Sequence, residues 1–268
     1  MSEGLWRRRR ARAIELLSSV PHADEMLEFY VALVELQEGV AQEIARAPES
    51  FGIQGMRGQP LRLEELSPDA MEPAFADFLR AMEPIGTQVM ASATRALLEA
   101  GADERAQVLR TFWLERDPGD FLQRSFSEAV VWVIVGGEAP GAGRATALRR
   151  SCPVCDSPPQ VGVLRDDPGA LGRRLLVCTL CATEWPFPRL TCAHCGSVDA
   201  DGLHVHQVES VPHVRIEACD SCARYLKAVD LRKLGGAEPV VDDLATPELD
   251  LWASDRGLVK IQANLLGL

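Results

Sequence analysis

Eight cysteines occur in this chain, and every one belongs to a Cys-x-x-Cys pair in the C-terminal half. The pairs are separated by 22, 10 and 23 residues, and no cysteine lies in the first 151 residues. A Cys-x-x-Cys turn presents two thiolates to one metal ion, and two such turns complete a tetrahedral site. The sequence therefore predicts two metal sites, with these candidate ligands: Cys152, Cys155, Cys178, Cys181, Cys192, Cys195, Cys219 and Cys222.

An internal repeat favours pairing in sequence order, the first pair with the second and the third with the fourth. Cys152-Pro-Val-Cys155 aligns with Cys192-Ala-His-Cys195, 40 residues later. Between the pairs of each unit, short stretches alternate in polarity with the period of small strands: 160–165, 175–177, 203–208 and 213–217. A unit of roughly 40 residues buries too little apolar surface to fold alone, so bound metal would supply the missing stability.

Other cysteine chemistries fit the pattern less well. Disulfides need an oxidising compartment, whereas residues 1–20 are too polar for a signal-peptide core and no run approaches a membrane span of about 18 apolar residues. The chain is therefore expected to be cytoplasmic. A thioredoxin-like site predicts one pair rather than four, and iron–sulfur clusters usually use less symmetric spacing. Four thiolate ligands alone do not distinguish a zinc ion from a single iron ion.

The residue that follows each cysteine pair also bears on the metal sites. We call each Cys-x-x-Cys turn a knuckle. The residue after its second cysteine often needs a left-handed backbone so that amide N–H groups reach the sulfurs. Glycine meets that need only at Gly196, while Asp156 tolerates it and Ala182 and Ala223 are less suited.

The N-terminal half is expected to be a helical domain, residues 1–140. Apolar periodicity and boundary residues predict helices at 23–47, 69–82, 85–100, 103–114 and from Asp117-Pro118 to 135. Residues 129–135 are apolar all round, which indicates a buried core helix. A glycine-rich linker follows, from Gly136 to Gly143. The fold class is thus α+β: the helical domain, two tandem rubredoxin-like or zinc-ribbon modules (150–188 and 189–235) and a C-terminal segment. In that segment, 236–268, a short helix begins at Thr246-Pro247 and packs on the modules or the helical domain.

Charge argues against nucleic acid as a partner. The chain carries a net charge of −11, and residues 151–235 hold 9 basic and 10 acidic side chains. A nucleic-acid module needs a basic face. The cluster Arg7–Arg10 is interpreted as a solvated helix start or flexible arm. No phosphate loop, nucleophile elbow or HExxH motif is present, and the five histidines are expected to be ordinary surface or turn residues. The chain is therefore not expected to be an enzyme.

Several segments together resemble the formate dehydrogenase accessory protein family, FdhE. They are Cys152–Cys155 with Ser157-Pro-Pro, Leu180–Trp185, Cys192-x-His194-Cys195, Cys219–Cys222 with Tyr225-Leu-Lys, and Val241–Thr246 with Leu249-Asp250. The resemblance implies a cytoplasmic maturation factor whose protein partner is the formate dehydrogenase catalytic subunit. It also implies that the eight cysteines hold two metal ions and suggests iron as the metal.

Two other classes of function stay open at the level of sequence. Single-iron sites could shuttle electrons, which would make the chain a small redox protein. A zinc ribbon could bind nucleic acid, although the charge balance disfavours it.

Overall fold

The computed structural model describes residues 3–20, 23–53, 55–56, 61–115, 121–136, 148–265 and 267. The chain divides into two compact units, one of helices in the N-terminal half and one built on a β-sheet in the C-terminal half. This architecture confirms the predicted α+β fold class. The predicted helix start at Asp117-Pro118 and residues 137–143 of the predicted linker lie outside the described residues. The bounds of the four segments drawn from the sequence stay predictions.

The helical unit begins one helix earlier than the periodicity predicts. Its helices are α1 Glu3–Leu17, α2 Asp24–Arg46, α3 Pro68–Met82, α4 Gln88–Ala100, α5 Ala102–Glu115 and α6 Phe121–Ile134, with a 3₁₀ turn at Leu63–Glu65. Local signals explain several of these boundaries. The Ser67 hydroxyl accepts the Ala70 N–H at 3.3 Å, and Thr87 does the same for Met90. Gly101, with a φ of 96°, ends α4.

The core of the helical unit lies where α6 meets α2 and α3. Every residue of α6 from Ala129 to Ile134 is buried, as its apolar run predicts. The Phe126 ring lies 5.2 Å from that of Phe75 and 5.8 Å from that of Phe78, at the separations typical of stabilising aromatic pairs.

The arginine cluster lies at the start of α1, where three of its four arginines are exposed, as expected of a solvated helix start, and one is not. Arg9 is buried, and its guanidinium lies 3.7 Å from the carboxylate of Glu128 on α6. Gln37 of α2 also donates to Glu128, at 3.2 Å. Arg10, by contrast, is half-exposed and pairs with Glu35 at 2.7 Å. The prediction is therefore wrong for Arg9, because one side of α1 is turned into the core and needs a buried partner.

The described residues of the sheet unit form seven strands in one sheet. They are β1 Pro159–Asp167, β2 Ala170–Cys178, β3 Glu184–Pro186, β4 Leu203–Gln207, β5 Val214–Cys219, β6 Arg224–Asp230 and β7 Val259–Lys260. The order is β3-β2-β1-β6-β5-β4, and β7 pairs with β6. Strands β1 and β2 form an antiparallel hairpin around a turn at Pro168-Gly169, and β4, β5 and β6 form an antiparallel meander.

The two modules are joined, which the repeat does not predict. β6 pairs in parallel with β1, so that Gly162 lies opposite Ala228 and one sheet runs through both modules. A Cβ at position 162 would lie 3.1 Å from the Ala228 Cβ, so glycine permits this close approach. β6 escaped the sequence analysis because Tyr225 to Asp230 are all buried and show no alternation.

The C-terminal segment covers one face of the sheet with two short helices, α7 Pro239–Leu244 and α8 Pro247–Ser254. The second is the helix predicted at Thr246-Pro247, whereas α7 and β7 were not predicted. Val240, Leu249 and Ala253 are buried in one cluster with apolar side chains of β1, β2, β5 and β6. Burial of these residues fixes the helices on the sheet.

Candidate metal centres

The first cluster brings together Cys152, Cys155, Cys178 and Cys181. One knuckle precedes β1, and the other begins at Cys178, the last residue of β2. Because Pro159 pairs with Cys178 in the β1–β2 hairpin, both knuckles lie at the same end of the hairpin. All four sulfurs are within 4.8 Å of one another.

The second cluster repeats this design with Cys192, Cys195, Cys219 and Cys222, again within 4.8 Å of one another. Cys219 ends β5, and the turn at Cys222 leads directly into β6. The Cys192 knuckle lies near it before β4, since Leu203 at the start of β4 is paired with Cys219. The structure thus groups the eight predicted residues in the order that the repeat indicates.

The sulfur separations suit tetrahedral coordination. With metal–sulfur bonds of about 2.3 Å, neighbouring sulfurs of a tetrahedral site lie about 3.8 Å apart. In the second cluster, Cys192 and Cys222 are 3.8 Å apart, and Cys195 and Cys219 are 3.7 Å apart. Separations in the first cluster are slightly shorter, 3.4 Å between Cys155 and Cys178 and 3.5 Å between Cys152 and Cys181. These separations are far longer than a disulfide bond of about 2.05 Å, and none of the eight cysteines is disulfide-bonded.

The knuckle backbone is shaped to support sulfur ligands. The residue after each pair has a left-handed backbone, with φ of 59° at Asp156, 55° at Ala182, 80° at Gly196 and 52° at Ala223. Main-chain N–H groups in the turns point at the sulfurs. The Val154 N–H lies 3.4 Å from Cys152 Sγ, and Leu180, His194 and others make the same contact in their own turns. Such donors stabilise ionised sulfur.

Burial makes a cation necessary for the ionised form of the first cluster. Desolvation raises the pKa of the Cys178 thiol well above its usual range. Four thiolates in such surroundings would repel one another strongly, so they require a bound positive charge. The donor set of both clusters therefore fits a thiophilic metal ion. Zinc(II) and iron are both compatible with four cysteine sulfurs.

A buried charge cluster behind the sheet was missed by sequence reasoning. Lys227 of β6 is fully buried and lies 3.0 Å from Asp243 and 2.6 Å from Asp250. Lys260 of β7 approaches the same two carboxylates at 2.7 and 3.1 Å, and the Tyr225 hydroxyl donates to Asp250 at 2.8 Å. Burial alone would raise the pKa of Asp243, but the two ammonium groups hold it below its usual range. The cluster joins strands β6 and β7 to α7 and α8. Most of its members lie in segments that carry the family resemblance, but nothing in their spacing indicates that these charges meet.

The four histidines among the described residues do not join the sulfur clusters. His204 of β4 lies 2.8 Å from the exposed Asp220, and His213 pairs with the buried Asp242 at 2.8 Å. The His206 ring lies 4.6 Å from that of Trp252. Only His194 sits inside a knuckle, where its side chain is exposed.

Within the described part of the chain, no helix has both the length and the apolar character needed to cross a membrane.

Two family models match the sheet unit: the FdhE central domain over residues 151–189 and the FdhE C-terminal domain over residues 190–266. An FdhE homologue of Aquifex aeolicus is 28% identical over 260 residues, which covers 94% of this chain and 92% of that protein. One from Stutzerimonas stutzeri is 43% identical over 117 residues, 43% of this chain and 37% of that protein. The crystal structure of FdhE from Pseudomonas aeruginosa has a TM-score of 0.74 at 25% identity, and covers 99% of this chain and 96% of that one.

The architecture and the sulfur clusters define a class: α+β proteins in which a helical unit precedes two four-cysteine modules on a shared sheet. Within that class the matches extend over both the helical half and the cysteine-rich half. The chain belongs to the FdhE family.

Proposed function

We propose that this chain is a cytoplasmic assembly factor for formate dehydrogenase. It binds the immature catalytic subunit through a surface that two bound metal ions hold rigid. The eight clustered cysteines are the metal ligands, and the chain has no catalytic site of its own. Membership of the FdhE family and the resemblance of the cysteine segments to the accessory proteins of that family support this role.

The observation that carries the proposal is the single sheet that passes through both clusters. Strands β2 and β5 each end at a knuckle, and β1 and β6 link the two modules directly. A sheet braced by metal at two points can present exposed side chains in a fixed arrangement. Preorganisation of this kind lowers the entropy cost of binding a client protein.

Co-purification from cells that express formate dehydrogenase tests the proposal. We expect Cys152→Ser and Cys219→Ser each to lose the client, because each unfolds the module that its cluster holds. The matched control is Ser221→Ala. Ser221 is an exposed residue of a knuckle, and its substitution leaves all four sulfurs in place. Client retention by both cysteine variants would contradict a docking surface on the sheet unit.

A second function, electron transfer, is favoured by one feature of the second cluster. Cys195 is exposed, so a redox partner could approach this site closely. The colour of the purified protein tests for electron transfer, which needs iron. Iron(III) with four thiolates is red and bleaches reversibly with dithionite, whereas zinc is colourless and has no redox chemistry. Zinc in both clusters of the protein isolated from its own cells would remove the basis of electron transfer.

A further inference from the structure

The two sulfur clusters differ sharply in their exposure to solvent. In the first cluster all four cysteines are buried, and none exposes more than 1% of its surface. In the second, Cys195 is exposed and Cys222 is half-buried. The internal repeat therefore produces two sites of the same donor set in different surroundings.

The knuckle side chains account for part of this difference. Leu180, between the cysteines of its pair, is buried beside the first cluster, whereas the equivalent Ser221 is exposed. Ala182 is likewise buried, and its counterpart Ala223 is exposed. Apolar cover over the first site excludes water and competing ligands, and the second site lacks that cover.

Hydroxyl groups brace only the first cluster. Thr183 Oγ1 lies 3.0 Å from Cys181 Sγ, and Ser157 Oγ lies 3.4 Å from Cys155 Sγ. The repeat places Arg224 at the position of Thr183, and its guanidinium donates to the Lys260 carbonyl. Ser197 replaces Ser157, but its hydroxyl accepts from Asp199 and Ser221 instead. Among the described residues, no side-chain hydroxyl is hydrogen-bonded to a sulfur of the second cluster.

We propose that the second cluster is an exchange site, where metal enters and leaves through ligand exchange with an external thiol, and that the first cluster is a permanent structural site. The inference rests on the metal loading in the proposed function and is independent of the client. An external thiolate approaches on the side of Cys195, the one exposed ligand.

The exchange step involves no redox change. The incoming sulfur forms a bond to the metal, the bond between the metal and Cys195 breaks, and the released thiolate takes a proton from water. The other three sulfurs follow in the same way, so the metal passes to the thiol-bearing acceptor with its charge unchanged. Buried sulfurs of the first cluster offer no such path.

Metal release from the full-length protein tests the proposal. The protein is loaded with two zinc(II) ions and mixed with excess EDTA, and the zinc remaining on the protein is measured over time after rapid gel filtration. We expect one ion to leave roughly tenfold faster than the other, the scale on which surroundings alter metal affinity. The fast rate rises with added glutathione, and the slow rate does not. Equal release rates, or a fast rate indifferent to glutathione, would overturn the proposal.

Variants assign the fast phase to its cluster. Cys195→Ser should remove the fast phase and leave the slow ion bound. Ser221→Leu copies Leu180 onto the exposed knuckle and should slow the fast phase, whereas Leu180→Ser should speed the slow one. N-ethylmaleimide labelling of the zinc-loaded wild type, mapped by mass spectrometry, gives a readout without variants. Cys195 should be modified before any cysteine of the first cluster, and the reverse order would refute the assignment.

Discussion

At the scale of single residues, the knuckles hold alanine where glycine would be easier. Ala182 and Ala223 have φ of 55° and 52°, a region that costs an L-residue about 1 kcal/mol or more. The sequence indicated this requirement at all four knuckles, and the structure meets it at all four. At Ala223 the main-chain N–H of the next residue, Arg224, is hydrogen-bonded to the Cys222 sulfur, a contact that offsets part of the strain.

Substitution of Ala223 by glycine should stabilise the metal-loaded protein by about 1 kcal/mol, because glycine adopts a positive φ without strain. The measurement is the midpoint of urea unfolding. Ala200→Gly is the matched control, since Ala200 is exposed and its φ is not positive. That control should be neutral or slightly destabilising. A loss of stability in Ala223→Gly would contradict the strain at this knuckle.

Glu128 gives the helical unit a predictable dependence on pH. Burial raises the pKa of its carboxyl, against the attraction of Arg9 and Arg124. A carboxyl with a raised folded pKa stabilises the fold most below its unfolded pKa, about 4.3, and loses that contribution as pH rises through the folded pKa.

Helical unfolding of wild type and Glu128→Gln, followed by circular dichroism from pH 4 upward, checks this sign. The stability of wild type should fall relative to the variant as pH rises. Glu35→Gln, which removes a half-exposed partner of Arg10, is the control and should not reproduce the trend. A relative stability that rises with pH would mean that the ion pairs outweigh burial.

At the scale of elements, the sequence predicted what periodicity and end signals define. The helix at Asp24–Arg46 and the strands around the cysteines have clear patterns, and the structure contains them. α1 was missed because its buried positions include arginine, which no hydrophobic pattern registers. β6 was missed because a central strand buried on both faces does not alternate. The sequence predicted which cysteines form each cluster. It did not predict their unequal exposure to solvent, because that depends on which side chains the fold packs over each knuckle.

Lys227 should be essential to the attachment of the C-terminal helices. Lys227→Met leaves Asp243 and Asp250 buried with Lys260 as their remaining ammonium partner, so we expect a loss of about 3–5 kcal/mol. Urea unfolding measures it. Lys233→Met is the control. Lys233 is exposed, and its ammonium donates to the main-chain carbonyl of Pro212, so the loss should stay within about 0.5 kcal/mol. Equal effects of the two substitutions would show that the buried cluster contributes nothing specific.

At the scale of the whole molecule, the parallel pairing of β1 and β6 makes the two modules one mechanical body. Each module alone is small, and its strands would expose an edge without the other. We therefore expect loss of the metal ion from the first cluster to lower the metal affinity of the second cluster. The internal repeat predicted two separate modules and did not indicate that a shared sheet couples them.

The account as a whole depends on one metal ion in each sulfur cluster. Elemental analysis of the protein purified under reducing conditions, combined with native mass spectrometry, measures this most directly. Two ions per chain are expected in wild type. Cys195→Ser should retain one ion, held by the first cluster. A wild-type chain that folds without metal, or whose mass shows the sulfurs joined as disulfides, would contradict the account.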